Sequence, residues 1–277
     1  MRRAVIFAHF HPQGEIPPHT RHLIDFLRGR AQRFILVSTG LGAASARTLP
    51  ADVEVIVRPN VGHDFMSYKT GWLRLGDVSA YDEVLIVNDS IYLADAARLE
   101  RTLDQLALGT ADAWGLTASE EGGFHLQSYC IGLRRRALAH PGLADFWTRL
   151  AVLPDKRDII RQYERGLSLC LRSCGLKLEA AFLANAWQQI LLMARRKAPG
   201  RPVRMCLLSA KMLIWPRRRC NPTHFLWDQV LARHGILKLE LLKRNPKGMA
   251  LDVQALECGL SASGVAALRA ALSGWRQ

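Results

Sequence analysis

The sequence predicts an α/β fold, a mostly parallel sheet flanked by helices, with a basic helical lobe at its C-terminal end. Three observations carry this. Short apolar runs alternate with amphipathic stretches through the first hundred residues, and parallel neighbours need a crossover connection between them. The 277 residues are 49% hydrophobic, enough for one large core, or for one core with a small subdomain. The net charge of +14 is concentrated. Between Arg195 and Lys247, fourteen Lys or Arg stand against Asp228 and Glu240, so this window supplies +12 of the total.

Residues 3–10 form the first strand. The apolar stretch is too short for a signal peptide and runs into His9, His11 and Pro12, so a secreted protein is not expected. Residues 18–30 read as a helix with Leu23, Phe26 and Leu27 on one face, and 33–39 as the second strand. Strands over 53–57 and 83–87 alternate with helices over 65–75 and 96–108. Residues 113–118 and 125–133 read as strands around the turn Glu120-Glu121-Gly122-Gly123. Helices follow near 142–150 and 155–174, then a return to the sheet over 177–182 and a helix over 185–196. Further on, helices are expected over 223–233 and 261–275. No internal repeat or low-complexity linker interrupts the chain, so one compact domain is expected, divided into a core over 1–190 and a basic lobe over 191–277.

The six cysteines, at 130, 170, 174, 206, 220 and 258, form no CxxC pair and no Cys/His zinc spacing. Cys170 and Cys174 lie four apart on a helix and read as small buried hydrophobes. Reduced thiols fit a cytoplasmic protein. No apolar run approaches the ~20 residues that span a bilayer. The basic window calls for an anionic partner: phosphate-bearing lipid, membrane headgroups, a nucleotide diphosphate or nucleic acid.

Ligands of open α/β sheets bind outside the carboxyl ends of strands. Two such ends carry polar clusters. Arg58-Pro59-Asn60-Val61-Gly62-His63-Asp64 follows the third strand, where Asn60 and Gly62 suit a tight turn and Arg58, His63 and Asp64 project polar groups. Asn88-Asp89-Ser90 ends the strand Val84-Leu85-Ile86-Val87, where short polar side chains contact a metal, a ribose or a phosphate, or simply end the strand. His125, Gln127 and Tyr129 alternate with apolar residues, which places them on one strand face as a row of neutral sugar-recognising groups, or as an edge facing water. Glu164 is a helical carboxylate able to take a proton from an acceptor hydroxyl, or a surface acid beside Arg161 and Arg165.

In this order the pieces resemble the GT-A glycosyltransferases. More closely, the run from Arg58 to Lys69, Val87-Asn88-Asp89-Ser90, Trp114-Gly115-Leu116-Thr117, the run from His125 to Tyr129, Phe146-Trp147 and Tyr163-Glu164 resemble the rhamnan synthesis F family. So do the runs from Asn221 to Trp227 and from Lys238 to Pro246. The resemblance spans roughly residues 4–247. It implies a GT-A-like, Rossmann-like core that builds cell-surface polysaccharide or lipopolysaccharide from a nucleotide diphosphate sugar, with dTDP-rhamnose as the donor.

On that resemblance His9, Arg58, Asn60, Gly62, Asp64, Asn88, Asp89 and Ser90 frame the donor, and Trp114, Thr117, His125, Gln127 and Tyr129 touch sugar or acceptor. Glu164 is the catalytic base of an inverting transfer. The acceptor is a lipid-linked glycan, met by a cytoplasmic protein held peripherally on the anionic inner face of the cell membrane. No organic cofactor and no nucleic acid are expected. The family pattern differs here in one respect: Asn88-Asp89-Ser90 stands where Asp-x-Asp usually holds Mg²⁺ or Mn²⁺, leaving Asp89 as the one candidate metal ligand. Hard cations prefer several oxygens. The single carboxylate leaves room for a catalytically inactive scaffold of a polysaccharide assembly complex. The pI of about 10.1 leaves room for a nucleic-acid-binding protein, although no reading motif accompanies it.

Overall fold

The computed structural model describes residues 1–197 and 221–249, together with 251, 262, 265, 266, 268 and 269. Most of the expected tail helix over 261–275 and much of the basic window lie outside the described residues.

The chain begins β1 (Arg3–Phe10), α1 (Pro18–Arg28), β2 (Arg33–Thr39), α2 (Ala43–Arg47), β3 (Val53–Arg58), α3 (His63–Leu75), β4 (Glu83–Asn88), β5 (Ile91–Leu93), α4 (Ala96–Leu108) and β6 (Ala113–Ser119). It continues with β7 (His125–Leu126), β8 (Cys130–Arg134), α5 (Arg135–Leu138), α6 (Pro141–Arg149), α7 (Lys156–Ile159), a π turn (Ile160–Glu164), α8 (Arg165–Ser173), β9 (Leu178–Phe182) and α9 (Ala186–Lys197). After the undescribed residues come α10 (Pro222–Phe225), α11 (Trp227–His234), β10 (Ile236–Lys238) and α12 (Leu239–Lys243).

Among the described residues eight strands form one sheet in the order β3-β2-β1-β4-β8-β6-β7, with β9 paired to β6. The four strands β3, β2, β1 and β4 are parallel, and β8 is antiparallel to both β4 and β6. This is a mixed α/β protein with a mostly parallel central sheet. Strands β1 and β4 are buried on both faces, which is why they read as unbroken apolar runs instead of alternating ones.

Two compact units divide the chain. The first comprises Met1–Asp89, Thr110–Leu116 and His125–Ala180; the second comprises Ser90–Gly109, Thr117–Phe124 and Ala181–Gln277. The first holds most of the large sheet. At its floor Glu83 is fully buried and bound by Arg3 at 2.7 Å and by the Trp114 indole at 2.6 Å, with Arg134 at 3.7 Å. Trp114 lies flat against Gly132 across the β6–β8 register. A Cβ at Gly132 would meet the indole at 2.2 Å, so only glycine admits that ring. In the second unit β10 pairs antiparallel with β5, and the His234 imidazole on α11 meets Thr102 of α4 at 2.9 Å.

Two sequence expectations need correction. The residues 125–133 do not make one strand: β7 ends at Leu126 and β8 starts at Cys130, so His125, Gln127 and Tyr129 are not a row on one strand face. All three are buried instead. On α1 the buried stripe is Leu23, Ile24 and Leu27, while Phe26 is half-buried with the Arg30 guanidinium 5.5 Å above its ring.

Candidate functional site

Strand order reverses beside β1. From β1 the sheet proceeds through β2 to β3 on one side, and on the other it jumps to β4. The carboxyl ends of β1 and β4 therefore border a topological switch point, where ligands of such sheets bind. Asp89 stitches this point together. Its backbone N–H donates to the Ala8 carbonyl at 3.2 Å, and its carboxylate accepts the Phe10 N–H at 2.8 Å.

Asn88 extends the cluster. Its side-chain amide donates to Asp64 Oδ2 at 2.8 Å, and its backbone N–H donates to the Tyr129 carbonyl at 3.1 Å. Asp64 sits in the first turn of α3, where the helix dipole favours an anion. The turn before it is built for this. Gly62 takes a left-handed φ of 71° as the N-cap, and a Cβ there would fall 2.3 Å from Met66 Cγ. Arg58 is spent on holding this turn: its guanidinium donates to the carbonyls of Pro59, Val61 and His63 at 2.9, 2.7 and 2.6 Å and to Ser67 Oγ at 3.0 Å. It frames the loop and does not project from it, whereas Asn60 and His63 are exposed.

His9 lies one residue before the end of β1. Its Nδ1 meets Ser38 Oγ at 2.8 Å, and its buried Nε2 has no hydrogen-bond partner among the described residues. Burial, with a smaller push from His11, lowers its pKa to about 4, so the imidazole is neutral near pH 7.

Glu164 closes the π turn that separates α7 from α8. Such insertions re-aim side chains and recur at functional positions. Here Ser128 Oγ donates to Glu164 Oε2 at 2.5 Å and His125 Nε2 lies 3.4 Å from Oε1. Glu164 is thus a partly buried, oriented carboxylate. Arg161, the basic neighbour expected to accompany a surface acid, pairs with Asp158 instead.

Tyr68 joins the two groups of residues. Its hydroxyl donates to the Ser128 carbonyl at 2.8 Å. Burial first, and then the charges of Asp64, Cys130, Asp89 and Glu164, push its pKa well above the usual tyrosine value. Asp64, Asp89 and Glu164 therefore converge electrostatically on one neutral phenol. Tyr68 and Ser128 both fall inside the motif runs, but nothing in the sequence marks a role for either. Ser168, whose Oγ accepts the Leu126 N–H at 2.9 Å, holds β7 on α8 and was missed too.

Other expected residues have other partners. Trp114 is fully buried on Glu83, a core contact in place of the expected sugar contact. Gln127 is buried. Ser90 and Thr117 belong to the second unit. There Lys238 Nζ donates to Ser90 Oγ at 2.9 Å and the Ser90 carbonyl accepts the Leu239 N–H at 2.9 Å, while Thr117 is fully buried. Lys238 is a cation at Ser90 that the sequence reading did not single out.

Among the described residues no group of three or more His, Cys, Asp or Glu is placed to hold a metal ion. Asp89, the carboxylate at this strand end, accepts the Phe10 N–H with one oxygen and is not joined there by two further such groups among the described residues. Among the same residues no helix is long and apolar enough to cross a membrane.

Residues 35–195 match the family model described as rhamnan synthesis protein F, more than half of the chain. The chain belongs to the rhamnan synthesis protein F family. The matched stretch contains Asp64, Tyr68, Asn88, Asp89, His125, Ser128 and Glu164, the whole constellation except His9.

Among its relatives, the chain is 26% identical over 234 residues to the virulence protein VirA of Vibrio anguillarum, covering 81% of this chain and 74% of that one. It is also 26% identical over 133 residues to the uncharacterized protein y4gN of Sinorhizobium fredii, covering 46% of this chain and 34% of that one. Solved structures with some likeness include the bifunctional IspDF from Campylobacter jejuni, at 13% identity and a TM-score of 0.41, over 67% of this chain and 51% of that one. This chain thus matches about half the length of IspDF. The galactosyltransferase LgtC, solved with donor and acceptor sugar analogs, is 12% identical with a TM-score of 0.35, over 59% of this chain and 71% of that one.

Proposed function

We propose that this rhamnan synthesis F protein is a glycosyltransferase with a GT-A-like core. It moves a sugar, rhamnose from a dTDP donor, to a hydroxyl of a lipid-linked polysaccharide or lipopolysaccharide precursor at the cytoplasmic face of the membrane. One observation carries the reading: Glu164 is held by Ser128 and His125, and the Tyr68 hydroxyl binds the carbonyl of that same Ser128. An oriented carboxylate beside a switch-point cluster is the arrangement that transfer to a hydroxyl needs.

The donor diphosphate lies against the ends of β1 and β4. Asp64, Asn88 and Asp89 fix the loops there, and His9 offers an uncharged nitrogen. The acceptor hydroxyl approaches Glu164. As its oxygen attacks the anomeric carbon, its proton passes to the carboxylate, the bond from that carbon to the phosphate oxygen breaks, and the nucleoside diphosphate leaves with the electron pair. One displacement inverts the anomeric centre through an oxocarbenium-like state. An ionised carboxylate has about four lone-pair sites; Ser128 and His125 occupy two of them and leave others for the acceptor.

A second reading is an inactive scaffold of a polysaccharide assembly complex, favoured by the single carboxylate in Asn88-Asp89-Ser90. Thermal-shift measurements with a panel of nucleotide sugars, with and without Mn²⁺, and with oligonucleotides test the class. Stabilisation by a nucleotide sugar supports a donor site. Stabilisation by oligonucleotides alone would identify a nucleic-acid binder. Donor binding without transfer in a turnover assay would identify the scaffold.

A further inference from the structure

Helix α9 is fastened to its own unit along one stripe. Gln188, Leu192 and Arg195 recur at i, i+4 and i+7, the spacing of a single helix face. Gln188 Nε2 donates to Gln229 at 2.5 Å, Leu192 is fully buried, and Arg195 forks onto Asp228 at 2.7 and 2.9 Å with a further bond of 2.8 Å to the Phe225 carbonyl. The first turn is pinned as well. Asn185 Oδ1 accepts the Gln188 N–H at 3.0 Å and Gln188 Oε1 accepts the Asn185 N–H at 2.8 Å, a reciprocal capping box.

The other side of the same turn is apolar and open. Trp187 is 79% exposed and Leu183 44%; Ala186 is exposed and Ile190 half-buried. Single exposed apolar side chains are ordinary, but Ala186, Trp187 and Ile190 share one face of a capped helix by their spacing, and such a group around an indole marks an interaction face.

We infer that this outer face of α9 docks on an anionic lipid bilayer. Charge decides the occupant. From Arg196 to Arg219 the chain carries eight Lys or Arg and no Asp or Glu, directly following the apolar face in sequence. An indole settles at the headgroup level with its apolar neighbours in the acyl boundary, and Lys and Arg close to the surface are attracted to anionic headgroups. The inference locates the surface contact for the lipid-linked acceptor proposed above. Because vesicle binding is measured without donor or acceptor, its failure and the failure of the transfer reading are distinguishable.

The test is flotation of the full chain with vesicles of phosphatidylcholine alone and of phosphatidylcholine mixed with phosphatidylglycerol. Wild type is expected to float only with the mixed vesicles and to be released as salt rises toward about 1 M, where the Debye length is about 3 Å. The double variant Leu183→Ser, Trp187→Ser, whose positions are exposed, should keep the wild-type melting curve and bind roughly tenfold more weakly. Wild type that fails to float overturns the proposal, as does a double variant that binds like wild type. So does a wild-type dimer in sedimentation that the double variant dissolves, which would assign the face to a second copy.

Discussion

Ser128 Oγ donates to Glu164 Oε2 at 2.5 Å, tying the turn between β7 and β8 to the π turn ahead of α8. Two irregular pieces of backbone thereby fix one carboxylate. Neither is a regular element, and each is steadied by a regular neighbour: Tyr68 on α3 holds the Ser128 carbonyl, and Ser168 on α8 holds the Leu126 N–H. If Glu164 acts as a base, its aim depends on Ser128. Ser128→Ala is expected to lower transfer about 10- to 100-fold, with the donor dissociation constant unchanged in calorimetry.

Asp89 has two roles that a conservative change separates. Asp89→Asn keeps an oxygen to accept the Phe10 N–H and removes the charge, whereas Asp89→Ala removes both. On the proposed donor placement, Asp89→Ala weakens nucleotide binding at least ~10-fold, about 1.4 kcal/mol. Asp89→Asn should retain more of the loop geometry and lose less. Equal affinity in all three proteins would remove Asp89 from the donor site.

The pH dependence of stability has a defined sign. His9 and His234 each have a folded pKa of about 4, mainly through burial, and burial lowers His224 in the same direction. The unfolded imidazoles take protons near 6.5, so between these values the unfolded state binds more protons. Stability is therefore complete above about 6.5 and falls as pH drops toward about 4, by at most about 3 kcal/mol for each of His9 and His234. Urea midpoints measured from pH 7 to pH 5 should decline, and His9→Asn should flatten the decline by roughly a third to a half.

The floor of the sheet supplies a control remote from the chemistry. Glu83→Ala leaves the buried Arg3 guanidinium without its partner and is expected to cost about 3–5 kcal/mol, read as a lowered denaturation midpoint. A loss under about 1 kcal/mol would mean that Arg3 finds another acceptor.

Much of the fold is legible in the residues because local and global preferences agree. The apolar runs that end at Phe10, Thr39 and Asn88 are too short for helices and are separated by stretches able to form crossovers, so the parallel strands follow. The interruption at Gln127–Tyr129 is not legible in the same way: His125, Gln127 and Tyr129 alternate with apolar residues as a strand does, and burial of all three depends on tertiary neighbours. Strand β5 was missed because its three residues pair with β10 from far along the chain. At the site, the motif runs point to Asp64, Asn88, Asp89 and Glu164. They do not reveal that Arg58 is consumed by its own loop, that Trp114 belongs to Glu83, or that Tyr68 holds the Ser128 carbonyl. The Arg58 bonds are local, within 9 residues, but depend on where one side chain turns; Trp114 meets Glu83 across 31 residues and Tyr68 meets Ser128 across 60, and periodicity carries no information about either.

Transfer on this reading depends on Glu164 taking the acceptor proton. Glu164→Gln preserves size and can still engage Ser128 and His125, yet it cannot serve as the base. The decisive measurement is the transfer rate of Glu164→Gln beside its donor affinity, on a substrate pair that wild type turns over. The rate is expected to fall at least ~10²-fold with donor affinity unchanged. A variant that transfers sugar at close to the wild-type rate would contradict this role for Glu164.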